Sequence, residues 1–221
     1  MNRVQFIPTA TVVTALLMGV AAGAAPIGVY TFPGADPGGD AAVPVVTNVT
    51  FTPFNPVNVN PVSVSDLYRL ESWTTTIAQN TAEYAQFTVT PAPGFRLNVT
   101  SLSFDVVRSV DKASPGQKDG PLFGQVRVFQ GVGLTLVGSQ NFSPVGVWQT
   151  VTLNLGSLTT ANGEGLTVRF YGWASGHQNG WMSFDNVALN GAVESLPEPS
   201  PFALLSCGLM VFLSRWAVRR H

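Results

Sequence analysis

Disulfides are excluded at the outset, because the 221 residues hold one cysteine, Cys207, which cannot be cross-linked within the chain. Histidine is almost as scarce: His177 and His221 are the only two, which closes most routes to a histidine-based triad or a zinc site. Charged residues make up 10% of the chain. Between Asp36 and Glu198 there are 12 acidic and seven basic residues, a net of −5, with no lysine or arginine run to meet nucleic acid. Helical periodicity is also missing from the middle of the chain. There is no Gly-x-Ser-x-Gly elbow, His-Glu-x-x-His, Cys-x-x-Cys, EF-hand loop or Glu-x-Asp-x-x-Glu, so no familiar catalytic or metal signature is present.

What is present begins with two apolar ends. Asn2-Arg3, the run Val12 to Val20 and the small residues Ala22-Gly23-Ala24 have the layout of a secretory signal peptide over residues 1–24. At the other end, residues 196–221 read Pro197-Glu198-Pro199, then an apolar run, then arginines. From Pro201 to Ser214 this run would rise about 21 Å as a helix, against a hydrocarbon core of about 30 Å. Continued to Val218 it comes closer to a full span with only Arg215 charged, and the long Arg215 side chain can lead its guanidinium to the headgroups. A short transmembrane helix is therefore predicted, with Arg215, Arg219 and Arg220 on the cytoplasmic side and the rest of the chain outside. Cys207 falls inside this helix as a small apolar filler.

Pro197-Glu198-Pro199, an apolar helix and a basic end together resemble the PEP-CTERM sorting signal of exported bacterial proteins. The resemblance covers the stretch from Leu196 to His221. It implies an exosortase as partner, processing near the Pro-Glu-Pro, and a destination in the envelope or beyond. Leu196 to Ser200 also looks like the Leu-Pro-x-Thr-Gly wall-sorting signal, but Pro199 and Ser200 stand where Thr and Gly are needed. A GPI signal would end in its apolar tail without arginines.

The region 25–195 is long enough for one domain with a sizeable core. Nearly every segment alternates with period two, and Gly, Pro, Ser and Asn punctuate the strands every 8–12 residues or so, which predicts an all-β, antiparallel two-sheet sandwich of jelly-roll type. Strands are predicted at Ile27 to Phe32, Val43 to Phe54, Leu67 to Thr76, Glu83 to Thr90 and Phe95 to Val110. More follow at Phe123 to Gln130, Leu134 to Phe142, Val147 to Leu155, Leu166 to Trp173 and Trp181 to Asn190. Ala85, Phe87 and Val89 should face the core, opposite Gln86, Thr88 and Thr90. A phase shift near Ser101 predicts a bulge. The prolines in Asn55 to Ser65 restrict that run to an edge strand or an extended connector.

Short stretches of this domain also resemble the globular part of other PEP-CTERM proteins. They are Tyr84 to Pro91, Val107-Arg108-Ser109 with Gly120-Pro121, Val168 to Gly172, and Ser183 to Val187. The resemblance implies a shared sandwich scaffold and assigns no activity. The residues between Ser109 and Gly120 look like an expansion of a tighter Arg-Ser-x-x-Gly-Pro loop.

Trp148, Tyr171, Trp173 and Trp181 are the aromatic residues placed to contact sugar rings, although tryptophans of an all-β core are packing residues first. Asp36, Asp40 and Asp185 are the oxygen donors available to Ca²⁺, without the six to eight or so oxygens that ion takes; turn capping is their plainer role. His177 sits in a Gly/Asn turn and reads as an exposed loop residue. Arg108 and Arg169 lie in strands with either buried or solvent-facing roles open. The expected protein is a non-enzymatic envelope or matrix protein, and the resemblance implies association with extracellular polysaccharide. The alternatives are a specific carbohydrate-binding module, or a glycan hydrolase with a carboxylate pair that sequence does not reveal.

Overall fold

Period-two alternation becomes thirteen strands in the computed structural model, which describes residues 25–32, 43–62, 64, 66–110 and 118–197. They are β1 (Pro26–Tyr30), β2 (Val43–Pro44), β3 (Val49–Phe51), β4 (Asn55–Val57), β5 (Asn60–Val62), β6 (Tyr68–Glu71) and β7 (Tyr84–Pro91). The longer strands follow as β8 (Phe95–Arg108), β9 (Pro121–Gln130), β10 (Thr135–Phe142), β11 (Gln149–Thr159), β12 (Leu166–Ser175) and β13 (Met182–Ser195). The signal segment, the membrane helix with Arg215, Arg219 and Arg220, and the sorting residues Glu198 and Pro199 lie outside the described residues, as do Asp36 and Asp40.

Two antiparallel sheets result. The seven-stranded sheet runs β11-β8-β13, and the far side of β13 takes both β6, with β5 beyond it, and β1, with β2 beyond it. The six-stranded sheet runs β10-β9-β12-β7, and β7 takes β3 and β4 on its outer side. From β6 to β13 the chain crosses between sheets at every step except β9 to β10, which form a hairpin within one sheet. The facing orders β6-β13-β8-β11 and β7-β12-β9-β10 are a jelly-roll winding, as the strand spacing led one to expect.

The core between the sheets is built from the inward parity of each strand. Ala85, Phe87 and Val89 of β7 meet Leu166, Val168 and Phe170 of β12, and all six are fully buried or nearly so. Phe104 and Phe184 come from the opposing sheet to within 5.0 Å of Phe170, centroid to centroid. In β8 the buried set changes from Leu97 and Val99 to Leu102, Phe104 and Val106. The change falls at the predicted bulge, since Asn190 pairs with Ser101 and Gly191 with Val99, leaving Thr100 as the extra residue.

The early strands are shorter than their alternation implies. The predicted strand Val43 to Phe54 is broken into β2 and β3, which belong to different sheets, and the Pro-rich run is likewise split between β4 and β5. Pro56 and Pro61 sit on these edge strands, where a missing N–H costs no ladder bond. The predicted strand Leu67 to Thr76 ends at Glu71. Ser72 takes a φ of +65°, and Trp73 turns inward so that its indole N–H donates to the Leu70 carbonyl at 3.0 Å. Ser109 and Gly120 are brought together, the Gly120 N–H donating to the Ser109 carbonyl at 3.0 Å, so the expanded loop closes on the same two residues as a short one.

Candidate functional site

The outward parity of the six-stranded sheet gathers a large set of polar and aromatic side chains on one face. Strand register sets their neighbours. Gln125 of β9, Tyr171 of β12 and Tyr84 of β7 form one row, and Arg127, Arg169 and Gln86 form the next. Phe129, Thr167 and Thr88 form the third. The arginines lie over the rings. The Arg127 guanidinium is 4.9 Å from the Tyr171 centroid, and that of Arg169 is 4.5 Å from Tyr84 and 5.0 Å from Phe129. Amides hold them at the side. Arg169 Nε donates to Gln86 at 3.1 Å, Arg127 Nε donates to Gln125, and Arg127 Nη2 donates to Gln79 at 2.9 Å. Gln125 donates in turn to Asn141 of β10 at 2.6 Å.

At one end this face deepens into an open cleft of about 580 Å³. Its floor is Gln86, Thr88, Thr90, Thr167 and Arg169, and the Thr88 and Thr167 hydroxyls are hydrogen-bonded to each other at 3.1 Å. One wall is the β9–β10 turn, where Val132 is fully exposed and Leu134 partly so. The other is the loop 161–165 with Asn162 and Glu164. The walls are fastened to one another by a bond from the Gly131 N–H to the Gly165 carbonyl at 3.1 Å. Glu164 Oε2 accepts from Gln130 at 2.6 Å and from the Ala161 N–H at 2.9 Å, and these bonds, the Gln130 one foremost, hold its pKa below the usual carboxylate range.

The four aromatic residues expected to contact sugar are not assembled into one platform. Tyr171 lies on the cleft face but is 1% exposed, beneath Arg127 and beside Gln125, which Gln79 also reaches, so its ring supports the surface and offers no contact. That corrects its expected role. Trp173 is on the same face, half-buried and stacked on Phe123 at 5.8 Å, away from the cleft. Trp181 precedes β13 and has the Arg69 guanidinium 4.1 Å over its ring. It lines a second shallow hollow of about 700 Å³ with Arg108 and Lys118. Trp148 is exposed at the start of the edge strand β11.

The other sequence-derived candidates are also placed. Asp185 stands opposite Asp105 on adjacent strands, and the Asn186 side chain donates to both carboxylates. Burial pushes the Asp185 carboxyl up, the Asn186 N–H draws it down, and the charges of Asp105 and Asp66 push it up again. Among the described residues no group of three or more His, Cys, Asp or Glu is arranged to hold a metal ion. His177 is exposed and its Nδ1 accepts the Asn179 N–H, as a turn residue should. Arg108 donates to the carbonyls of Pro144, Ser109 and Gly120 and thereby ties the β10–β11 loop to both ends of the β8–β9 loop. Arg169 has the contrasting, outward-facing role.

Sequence reasoning does not single out Tyr84, Gln86, Arg127 and Glu164. A signal is available in the outward parity of Tyr84 to Thr90 and of Leu166 to Trp173, where Tyr, Gln, Thr and Arg alternate with core residues.

No protein-family model matches this chain, and no curated protein matches it. Solved structures with a similar strand layout include a family 4 carbohydrate-binding module, at 15% identity and a TM-score of 0.40 over 62% of this chain and 78% of that one. A family 29 module from Piromyces equi is similar at 9% identity and a TM-score of 0.41, over 74% and 89%. A family 11 module from Clostridium thermocellum, solved with a β-1,3-1,4-mixed-linked tetrasaccharide, is similar at 14% identity and 0.39, over 76% and 98%.

Proposed function

We propose that residues 25–195 form a polysaccharide-binding domain without catalytic activity, exported and held at the membrane by the tail until processing near Pro197-Glu198-Pro199 delivers it to the cell envelope or beyond. The observation that supports it best is the cleft on the outer face of the six-stranded sheet. A pyranose has an apolar face and a hydroxyl rim. The cleft matches both, with Val132 and Leu134 on one side and fixed hydroxyl, amide and guanidinium groups on the floor. It is open along the sheet, which suits a polymer running through it better than a small molecule enclosed on all sides. Binding is favoured over hydrolysis because the cleft presents one carboxylate, Glu164, where glycoside cleavage generally employs two about 5 to 9 Å apart.

The test is affinity electrophoresis of the full chain through gels containing a panel of acidic and neutral polysaccharides. Thr88→Ala combined with Thr167→Ala should weaken retardation about tenfold, as two neutral hydrogen bonds of roughly 0.5–1.5 kcal/mol each are lost. Trp148→Ala, remote from the cleft, should leave it unchanged. Equal losses in both variants, or no retardation by any polymer, would remove the reading.

Export and sorting rest on the two ends of the sequence. In the native host, Glu198→Ala is expected to leave an unprocessed, membrane-retained chain that is heavier than wild type by intact mass. An unchanged mass and location would end the sorting proposal.

A further inference from the structure

Arg127 and Arg169 are directly opposed on neighbouring central strands, and like charges so placed destabilise a sheet. Among the described residues no carboxylate forms an ion pair with either. Among the described residues the arginine–carboxylate ion pair is formed elsewhere, between Arg96 and Glu194 at 2.8 Å. Instead both guanidiniums are set over rings and held along one edge by glutamine amides. Arg169 uses only Nε in this way, so both of its Nη groups lack a hydrogen-bond partner among the described residues; Arg127 keeps Nη1. Glu164, across the cleft, has one oxygen drawn back onto Gln130 and the Ala161 N–H, and it makes no ion pair with either arginine. The segment Asp36 to Glu198 carries a net of −5, so this cationic spot is local and is not part of a general basic surface.

Uncompensated guanidiniums held by side-chain amides are suited to a planar, bidentate anion. Resting on the polysaccharide reading above, we infer that the polymer bound on this face is acidic, its uronate carboxylates lying on Arg127 and Arg169 while its hydroxyls meet Gln86, Thr88 and Thr167. The pre-formed cation–π and amide contacts hold the donors in place before the ligand arrives, which reduces the ordering cost of binding.

The experiment compares two forms of one polymer, polygalacturonate and the same material with its carboxylates reduced to primary alcohols, each titrated calorimetrically into the full chain. Wild type should bind the acidic form at least tenfold more tightly, and the difference should shrink as sodium chloride is raised from 20 to 300 mM or so. Arg127→Gln with Arg169→Gln should abolish the difference, so that the acidic and the reduced polymer bind with the same affinity. Arg127→Lys with Arg169→Lys should keep part of it, having charge without the fork. Near-UV circular dichroism confirms that each variant is folded. If both forms bind equally, or the Gln pair leaves selectivity intact, the acidic assignment is overturned and the polysaccharide reading stands. If neither form nor any neutral polymer of the panel binds, both fall together.

Discussion

Replacing Phe54 by alanine is expected to destabilise the domain by about 4 kcal/mol, near the upper end of what a single aromatic truncation costs. Phe54 belongs to no strand; it lies between β3 and β4, flanked by Pro53 and two residues before Pro56, yet it is completely buried. Its ring lies 4.9–5.4 Å from the rings of Tyr30, Phe32, Tyr68, Phe87 and Phe170, centroid to centroid, so it joins residues of both sheets. Its own backbone carbonyl accepts a long bond from the Tyr68 hydroxyl at 3.5 Å, and that of Thr52 accepts from Tyr30 at 2.6 Å. Alanine would leave a cavity walled by five rings that the crossing of the two sheets prevents from collapsing. Since domains of this size are stable by only about 5–15 kcal/mol, urea denaturation should show a large fall in midpoint. Phe123→Ala, on the partly exposed outer face, should cost well under half as much; equal costs would mean that the aromatic cluster is not the centre of stability.

Gly191→Ala is the second large effect. Gly191 lies in β13 opposite the β8 bulge, with a φ of +152° that residues with a Cβ rarely adopt. An added Cβ would sit 2.1 Å from the Asn98 carbonyl oxygen and 2.9 Å from the Val99 Cα, both backbone atoms of the longest strand pairing in the described structure. Neither can move without opening that ladder. Backbone strain and collision together should cost about 2–4 kcal/mol by the same denaturation measurement. Gly133→Ala provides the control, because a Cβ added in that exposed turn would meet nothing within 4 Å, and its midpoint should hardly move.

How much of this is legible in the sequence depends on the range of the interaction. The alternation of Ala85, Phe87 and Val89 against Gln86, Thr88 and Thr90 is local, and it gives the facing of β7 directly. The bulge in β8 is legible for the same reason, as a change of parity within one strand. The pairing of Arg127 with Arg169 is not, because it arises from register between β9 and β12, with two other strands between them in the chain, and no local pattern encodes which strands become neighbours. The burial of Tyr171 is hidden because its strand position is outward. What covers it comes from elsewhere, from Arg127 of β9 and from Gln79, carried over the sheet by the segment that leads into β7. Phe54 does not read as a core centre because it is the last residue of a predicted strand, beside the Pro-rich run from Asn55 that reads as edge or connector, and such segments are ordinarily at the surface.

The place where the chain leaves the sandwich also matters. The Leu196 N–H donates to the Gly94 carbonyl at 2.8 Å, the Gly94 N–H donates to the Asn162 side chain at 2.8 Å, and the Gly163 N–H donates to the Phe95 carbonyl at 3.0 Å. The point of departure is thus stitched to the very loop that walls the cleft. The ten residues of β12 carry the opposite pole of the domain, with its His177 turn, roughly 33 Å away. A support fixed directly after Leu196 would therefore lie beside the groove and far from the His177 pole. A filament seated there would be drawn down to lie along that support, with the distal pole left free to face outward.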